Sequence, residues 1–386
     1  MESNTGLIFD LGSLYARFHE LHDQRKPKGK RYSLATLLVI LCLAKLCGED
    51  RPSGIAEWAQ QRGEWIVKVL GLKRTSMPNH NTYRRILARG VKEGELEQLV
   101  REHFKHCGKA GYQVVISMDG KVLRGTIDTE ASEGLWLLAA YLPGEGITLA
   151  QVAIESKKNE ISAAPHLLES VDLRNKVVIG DALHTQRQIS IQIGKAGGNY
   201  LWTVKGNQQQ LEEDLRLWFG PDPTPIPGMA YLAKDFRTAQ TVNKGHGRLE
   251  TRTLTTSSQL NDFLDWPFLH QVFKLEREVL IYKSAHTRHE VVYGITSLLA
   301  EDASPEKLLH MLRSYWQIEN GLHYRRDVTL QEDRTRFKQH AAAHCMAILN
   351  NLLLGILAMS GYPFLPSARR FFDVHPLEAL HLLTLL

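Results

Sequence analysis

The chain has 386 residues, with 47 Lys and Arg against 42 Asp and Glu, 43% hydrophobic residues and 23% charged ones. Those proportions are globular, so disordered, collagen-like and low-complexity classes are excluded, and the length predicts two or three domains. The net charge of +5 permits nucleic acid as a partner without demanding it. Four cysteines, Cys42, Cys47, Cys107 and Cys345, form no CxxC pair. This argues against a zinc site or a disulfide framework and for a reducing, cytoplasmic setting. The N-terminus lacks a signal-peptide pattern, and the apolar run from Leu34 to Leu46 is too short for a bilayer, so no membrane role is expected.

Residues 1–110 read as helical. Leu11, Leu14, Tyr15, Phe18 and Leu21 recur at helical spacing. Ser33 is placed to cap a helix over Leu34–Cys47 that ends at Gly48, and Ser53 to cap a third carrying Ile55, Ala56 and Trp58. A fourth segment spans Trp65–Leu70 and stops at Gly71. A turn at Pro78–Thr82 then leads into Tyr83–Leu87, where Arg84 and Arg85 give the layout of a recognition helix. The basic stretch Arg25–Arg31 reads either as a solvated loop or as a phosphate-contacting arm.

After Gly108 the pattern changes. Gln113–Met118 reads as a buried strand ending at Asp119. Leu135–Leu142 and Ile147–Ile154 read as a hairpin across Pro143–Gly146. Pro165–Val171 is expected as a helix, and Lys176–Gly180 as a strand ending at Asp181. Thr185 is placed to cap a helix over Gln186–Ala196, and Tyr200–Val204 reads as a fifth strand. The sum is a mixed α/β sheet. A helix over Gln208–Phe219, a linker at Pro221, Pro223, Pro225 and Pro227, and three or four strands (236–242, 249–255, 272–282, 290–296) interrupt it. Ser304 with Pro305 opens a helix expected to reach about Tyr324, and a second apolar helix spans His340–Met359. The tail from Gly361 reads as a loosely packed extension.

Asp119 and Asp181 each stand after an apolar strand, where open α/β sheets bind ligands, although Asp is also a common turn or cap residue. A two-metal site needs a third carboxylate. Glu319, His323 and Arg326 fall at i, i+4 and i+7, on one face of a regular helix. Asp327 and the pair Glu332–Asp333 are rivals for the third position.

The ordered set Met118-Asp119-Gly120-Lys121, Gly180-Asp181-Ala182, Trp202–Gln208 and Arg313-x-x-Trp316-x-Ile318-Glu319-Asn320-x-x-His323 resembles a bacterial insertion-sequence transposase of the DDE group, in its H-repeat-associated, ISAs-type branch. Lys244-Gly245-His246-Gly247-Arg248-x-Glu250-x-Arg252 and the stretch Ser53–Trp58 fit the same branch, and the resemblance covers about residues 10–360.

The resemblance implies an all-α N-terminal DNA-binding domain (1–110), a ribonuclease-H-like α/β core (111–206 and 301–360), a β-rich insertion (207–300) and a tail (361–386). It implies Asp119, Asp181 and Glu319 as catalytic ligands of two Mg2+ ions, with Mn2+ as a substitute. It implies cleavage of element ends and strand transfer on double-stranded DNA, both terminal repeats and target, by a homodimer. Arg84, Arg85, Lys121, Arg124, Lys205, His246, Arg248, Arg313, His323 and Arg326 are its candidate DNA contacts, although Lys121 and Arg124 also read as plain surface bases. Two alternatives share these residues: a ribonuclease-H-like nuclease without strand transfer, and a domesticated, non-catalytic DNA-binding protein.

Overall fold

The computed structural model describes residues 10, 12–28, 30–107, 113–127, 134–156, 159–221, 233–245, 247–284, 286–334 and 337–384. Leu11, Pro223, Pro225, Pro227 and His246, all used in the sequence reading, lie outside them. The N-terminal part is helical: α1 (Leu14–Phe18), α2 (Leu34–Leu46), α3 (Pro52–Gln61), α4 (Gly63–Val69), α5 (His80–Arg89) and α6 (Glu93–His103). Ser33 caps α2 as expected, its hydroxyl accepting the Thr36 amide at 3.0 Å. Gly48 then leaves the helix at φ +110, a conformation that side chains resist. Ser53 does not cap α3. Pro52 occupies the first helical turn and Arg51 precedes it without a side-chain bond, because proline presets the helical φ and needs no capped amide.

Among the described residues nine strands follow: β1 (Val114–Leu123), β2 (Leu135–Leu142), β3 (Ile147–Ile154), β4 (Lys176–Gly180), β5 (Asn199–Val204), β6 (Arg237–Gly245), β7 (Arg248–Ser257), β8 (Gln271–Ile281) and β9 (His286–Thr296). They hydrogen-bond in the order β3-β2-β1-β4-β5-β9-β8-β7-β6. β1, β4 and β5 pair in parallel, β2 and β3 form an antiparallel hairpin, and β5 through β6 continue antiparallel. This is a mixed sheet, parallel through β1, β4 and β5, with β6 to β9 forming an antiparallel meander beside β5. β1 does not end at Asp119; it carries that residue in mid-strand and runs on to Leu123.

Helices α7 (Glu160–Glu169) and α8 (Arg187–Lys195) alternate with the parallel strands, and α9 (Gln209–Trp218) precedes the meander. α7 starts before Pro165, which lies inside it rather than at its start. Thr185 is not a cap for α8; its hydroxyl donates to the Thr203 carbonyl at 2.7 Å, tying the turn to β5. α10 (Pro305–Tyr315) is capped by Ser304, but it stops well short of Tyr324. Glu319–His323 and Arg325–Thr329 are wound instead as wide π-helical turns. Three helices close the chain: α11 (His340–Met359), α12 (Leu365–Val374) and α13 (Pro376–Thr384).

The chain forms two compact units. The first comprises Met1–Lys109, Gly120–Asn159 and Glu319–Leu386. Its centre is α11, which packs against α5, α6 and β3. Among the described residues α11 alone is long and apolar enough to cross a membrane, and 83% of its most apolar window is buried. The tail is not loose: α12 and α13 pack on α2, burying Phe372, Leu380 and Leu383. Its prolines start helices (Pro366 in the first turn of α12, Pro376 at the head of α13), which is why proline content alone misled.

The second unit comprises Ala110–Asp119 and Glu160–Ile318. Its core joins Val177 and Ile179 of β4, Leu201 of β5, Leu254 of β7 and Phe273 of β8 to Leu308, Leu309, Met311 and Leu312 of α10. Gly294 of β9 pairs with Phe273 on one side and Thr203 on the other. A Cβ there would overlap the Phe273 ring and the Trp202 carbonyl. Gly294→Ala is expected to destabilise the protein by about 1–3 kcal/mol or more through overpacking, measured as a lower urea midpoint.

Candidate active site

Register places the first two acids. β1 and β4 pair Met118 with Gly180, so Asp119 and Asp181 are the next residues on adjacent parallel strands, which run about 4.8 Å apart. Asp119 is half-buried within β1 and Asp181 is exposed just past β4. Asp181 also caps, its carboxylate accepting the Leu183 amide of the short turn Ala182–His184. Capping fixes the side chain without consuming the second carboxylate oxygen.

That turn is held from three directions. The Asn207 amide donates to the Ala182 carbonyl at 2.7 Å, and the Gln208 amide to the Thr185 carbonyl at 2.9 Å. His184 is buried, with Nε2 3.7 Å from a carboxylate oxygen of Glu160 on α7. A Cβ on Gly180 would meet His184 at 3.0 Å and the Trp202 ring at 3.3 Å, so the glycine admits the imidazole beneath the turn. Asn207 and Gln208 were visible only as part of the Trp202–Gln208 motif. Glu160 gave no signal, because its role depends on how α7 packs.

In the first unit Glu319 and His323 share one π-helical turn. Glu319 is exposed and His323 buried, and a carboxylate oxygen and a ring nitrogen of the pair lie within 4.8 Å. Glu319, His323 and Arg326 do not present one face as a regular helix would. Arg326 is wholly buried, donating from Nε to Glu332 at 2.8 Å and from Nη1 to the Gln151 side chain at 3.1 Å. It has no surface to offer DNA, so that assignment is withdrawn. Lys121 is likewise buried, bonded to Asp327 and 3.8 Å from Glu332. Asn350 of α11 donates to the other Glu332 oxygen at 2.7 Å, and Asn351 to Gln151 at 2.9 Å. Burial opposes the charge on Glu332, but Arg326 and Lys121 outweigh it and hold its pKa below the usual carboxylate value. Asp333 accepts the Arg124 amide at 2.9 Å. The rivals to Glu319 are thus occupied by lysine, arginine and backbone donors.

Other candidate DNA contacts are exposed: Arg84 and Arg85 on α5, Arg124 after β1, Lys205 after β5, Arg248 at the head of β7 and Arg313 on α10. α5 buries Tyr83, Ile86 and Leu87 on its other face, and Asn79 caps it by accepting the Asn81 amide at 3.1 Å. In the second unit Arg252 and Arg277 stand opposite each other on β7 and β8, bridged by Glu250. Burial opposes its ionisation, yet Arg277 and Arg252 lower the Glu250 pKa. Arg25 and Lys30 of the basic stretch fold back on Asp23, at 2.8 and 3.1 Å. Against partial burial, the Arg25 bonds hold Asp23 at about 2.

Arg326→Met is expected to cost about 3–5 kcal/mol, because it strands a buried carboxylate, whereas Arg326→Met with Glu332→Leu loses less. The Glu332 contribution is present above its unfolded-state pKa of about 4.3 and disappears as pH falls through the lower folded value. Urea unfolding of wild type and Glu332→Gln from pH 6 to pH 3 is expected to show the gap between them close.

Comparison with known proteins bears on this arrangement. The transposase DDE domain family matches residues 111–356, and the family of DDE_Tnp_1-associated segments matches residues 15–104. YncI of Escherichia coli O157:H7, which carries a transposase name, is 27% identical over 338 residues, 87% of this chain and 84% of its own. YhhI of E. coli K12, named as H repeat-associated and a transposase, is 24% identical over 355 residues, 90% of this chain and 91% of its own. A solved piggyBac transposase synaptic complex with hairpin DNA aligns with a TM-score of 0.41 and 10% identity, over 89% of this chain and 80% of that one.

Proposed function

This chain belongs to the transposase DDE domain family and is a DNA transposase, and on that premise we propose that it cuts the ends of an insertion sequence and joins them to target DNA through two divalent ions held by Asp119, Asp181 and Glu319. The observation that supports the ligand assignment is the β1–β4 register, which matches Met118 to Gly180 one residue before each aspartate. Carboxylate oxygens with one nearby imidazole make a hard donor set, which suits Mg2+ or Mn2+. The four cysteines are unlinked and three are buried, and none enters it. Ions held by Asp119, Asp181 and Glu319 would supply Lewis acidity to the attacking and leaving oxygens.

The chain's own residues bind and orient. Asp119 and Asp181 present oxygens from fixed backbone, one in a strand and one in a pinned cap. Glu319 offers the third carboxylate from an exposed turn, with His323 buried beside it, too enclosed for the expected phosphate contact and placed to steady the acid. Arg248, Arg313, Lys205 and Arg124 stand in solvent where phosphodiester oxygens are recognised, and Arg84 and Arg85 of α5 read the terminal repeat. The working species on paired ends is a homodimer, acting in the cytoplasm.

The test is cleavage of a labelled duplex carrying the DNA that flanks the gene, in Mg2+. Asp119→Ala, Asp181→Ala and Glu319→Ala are each expected to lose at least about 1000-fold in rate while still binding the duplex. Full activity in any one removes that residue from the ligand set. Arg84→Ala with Arg85→Ala is expected to weaken binding and to flatten the dependence of log affinity on log salt by about two units.

A further inference from the structure

Lys121 and Arg326 are both buried and both pair with Glu332, and Lys121 pairs with Asp327 as well. Lys121 sits two residues beyond Asp119 on β1, hence on the same side of that strand. It bonds Asp327, which lies on the π-helical turn following the one with Glu319 and His323. Glu332 stands 3.8 Å from the Lys121 ammonium and takes two guanidinium nitrogens of Arg326, each at 2.8 Å. Asn350 and Gln151 complete the shell. Five segments of the first unit therefore meet on one buried set of charges: β1, β3, the π-helical stretch, the short turn Glu332–Arg334 and α11.

A π-helical stretch has a poorer intrinsic hydrogen-bond pattern than an α-helix and persists where tertiary bonds hold it. This one is anchored downstream of its catalytic acid, at Arg326, Asp327 and Glu332, while Glu319 itself is exposed. We infer that Lys121, acting through Asp327 and Glu332, is a positioning residue that fixes the turn bearing Glu319 and His323 to the Gly120–Leu123 end of β1. This rests on the ligand assignment above, and extends it to residues that never touch the metal or the DNA.

The test uses the full-length protein with its end duplex and reads Mn2+ binding by electron paramagnetic resonance, beside DNA affinity in the absence of metal. Lys121→Met is expected to raise the Mn2+ concentration for half-saturation about 10–100-fold, the range found when supporting partners of metal ligands are removed. DNA affinity without metal stays within about twofold, since a buried lysine releases no counterion. Lys121→Arg, which keeps the charge and can reach the same acids, restores most of the Mn2+ affinity. If Lys121→Met does not fold, Asp327→Asn, at a half-buried site, is expected to show the same rise. Unchanged Mn2+ affinity in the folded variant overturns the inference, and so does weaker DNA binding alone, which would make Lys121 a phosphate contact. Asp119→Ala separates the two ideas. If it binds Mn2+ like wild type, the ligand assignment fails; if it loses Mn2+ while Lys121→Met does not, only the positioning role fails.

Discussion

Parallel hydrogen bonding between β1 and β4 is the constraint from which the site's geometry follows. Once Met118 is matched to Gly180, the chain has no freedom to separate Asp119 from Asp181. Paired strands run about 4.8 Å apart, so the backbone positions of the two aspartates are neighbours. The fold holds that placement with ordinary means: apolar strands below, where Val177, Val178 and Ile179 are buried, and a turn above tied by Asn207, Gln208 and Thr185.

The two units manage charge in contrasting ways. In the second, Glu250 sits between opposed Arg252 and Arg277 and lets a dense arginine array exist on one sheet. In the first, Glu332 neutralises cations that have been drawn inside, and amide side chains from α11 and β3 complete the bonding. Basic residues are therefore of two kinds, solvent-facing ones on helix faces and strand ends, and internal ones serving as cross-braces. A count of Lys and Arg cannot separate the two, and this is why Lys121 and Arg326 looked like DNA contacts from sequence.

Legibility in the sequence follows the range of the interaction. β2, β3, β4 and α11 appear with the expected bounds, because hydrophobic runs between turn residues are local information. The caps at Ser33 and Ser304 were readable for the same reason, and those expected at Ser53 and Thr185 were not realised, because proline chemistry and a bond to β5 took over. The extension of β1 past Asp119 depends on strand pairing, and the π-helical winding around Glu319 on buried partners distant in the chain. The carboxylates could be nominated from strand ends and motif spacing. Their supporting residues, Glu160, Gln151, Asn350 and Asn351, are ordinary in sequence and acquire meaning only from packing.

The first unit is built from three stretches of chain, the last beginning at Glu319, with the whole of Glu160–Ile318 intervening before it closes. Its central helix α11 is therefore synthesised long after α2, α5 and α6, the surfaces it must cover. During translation those apolar faces wait without their partner. Closing so long a loop adds little to the equilibrium cost but much to the delay before native contacts form. A chain interrupted before α11 consequently lacks both the helix that covers α2, α5 and α6 and the asparagines that complete the bonding around Glu332 and Gln151.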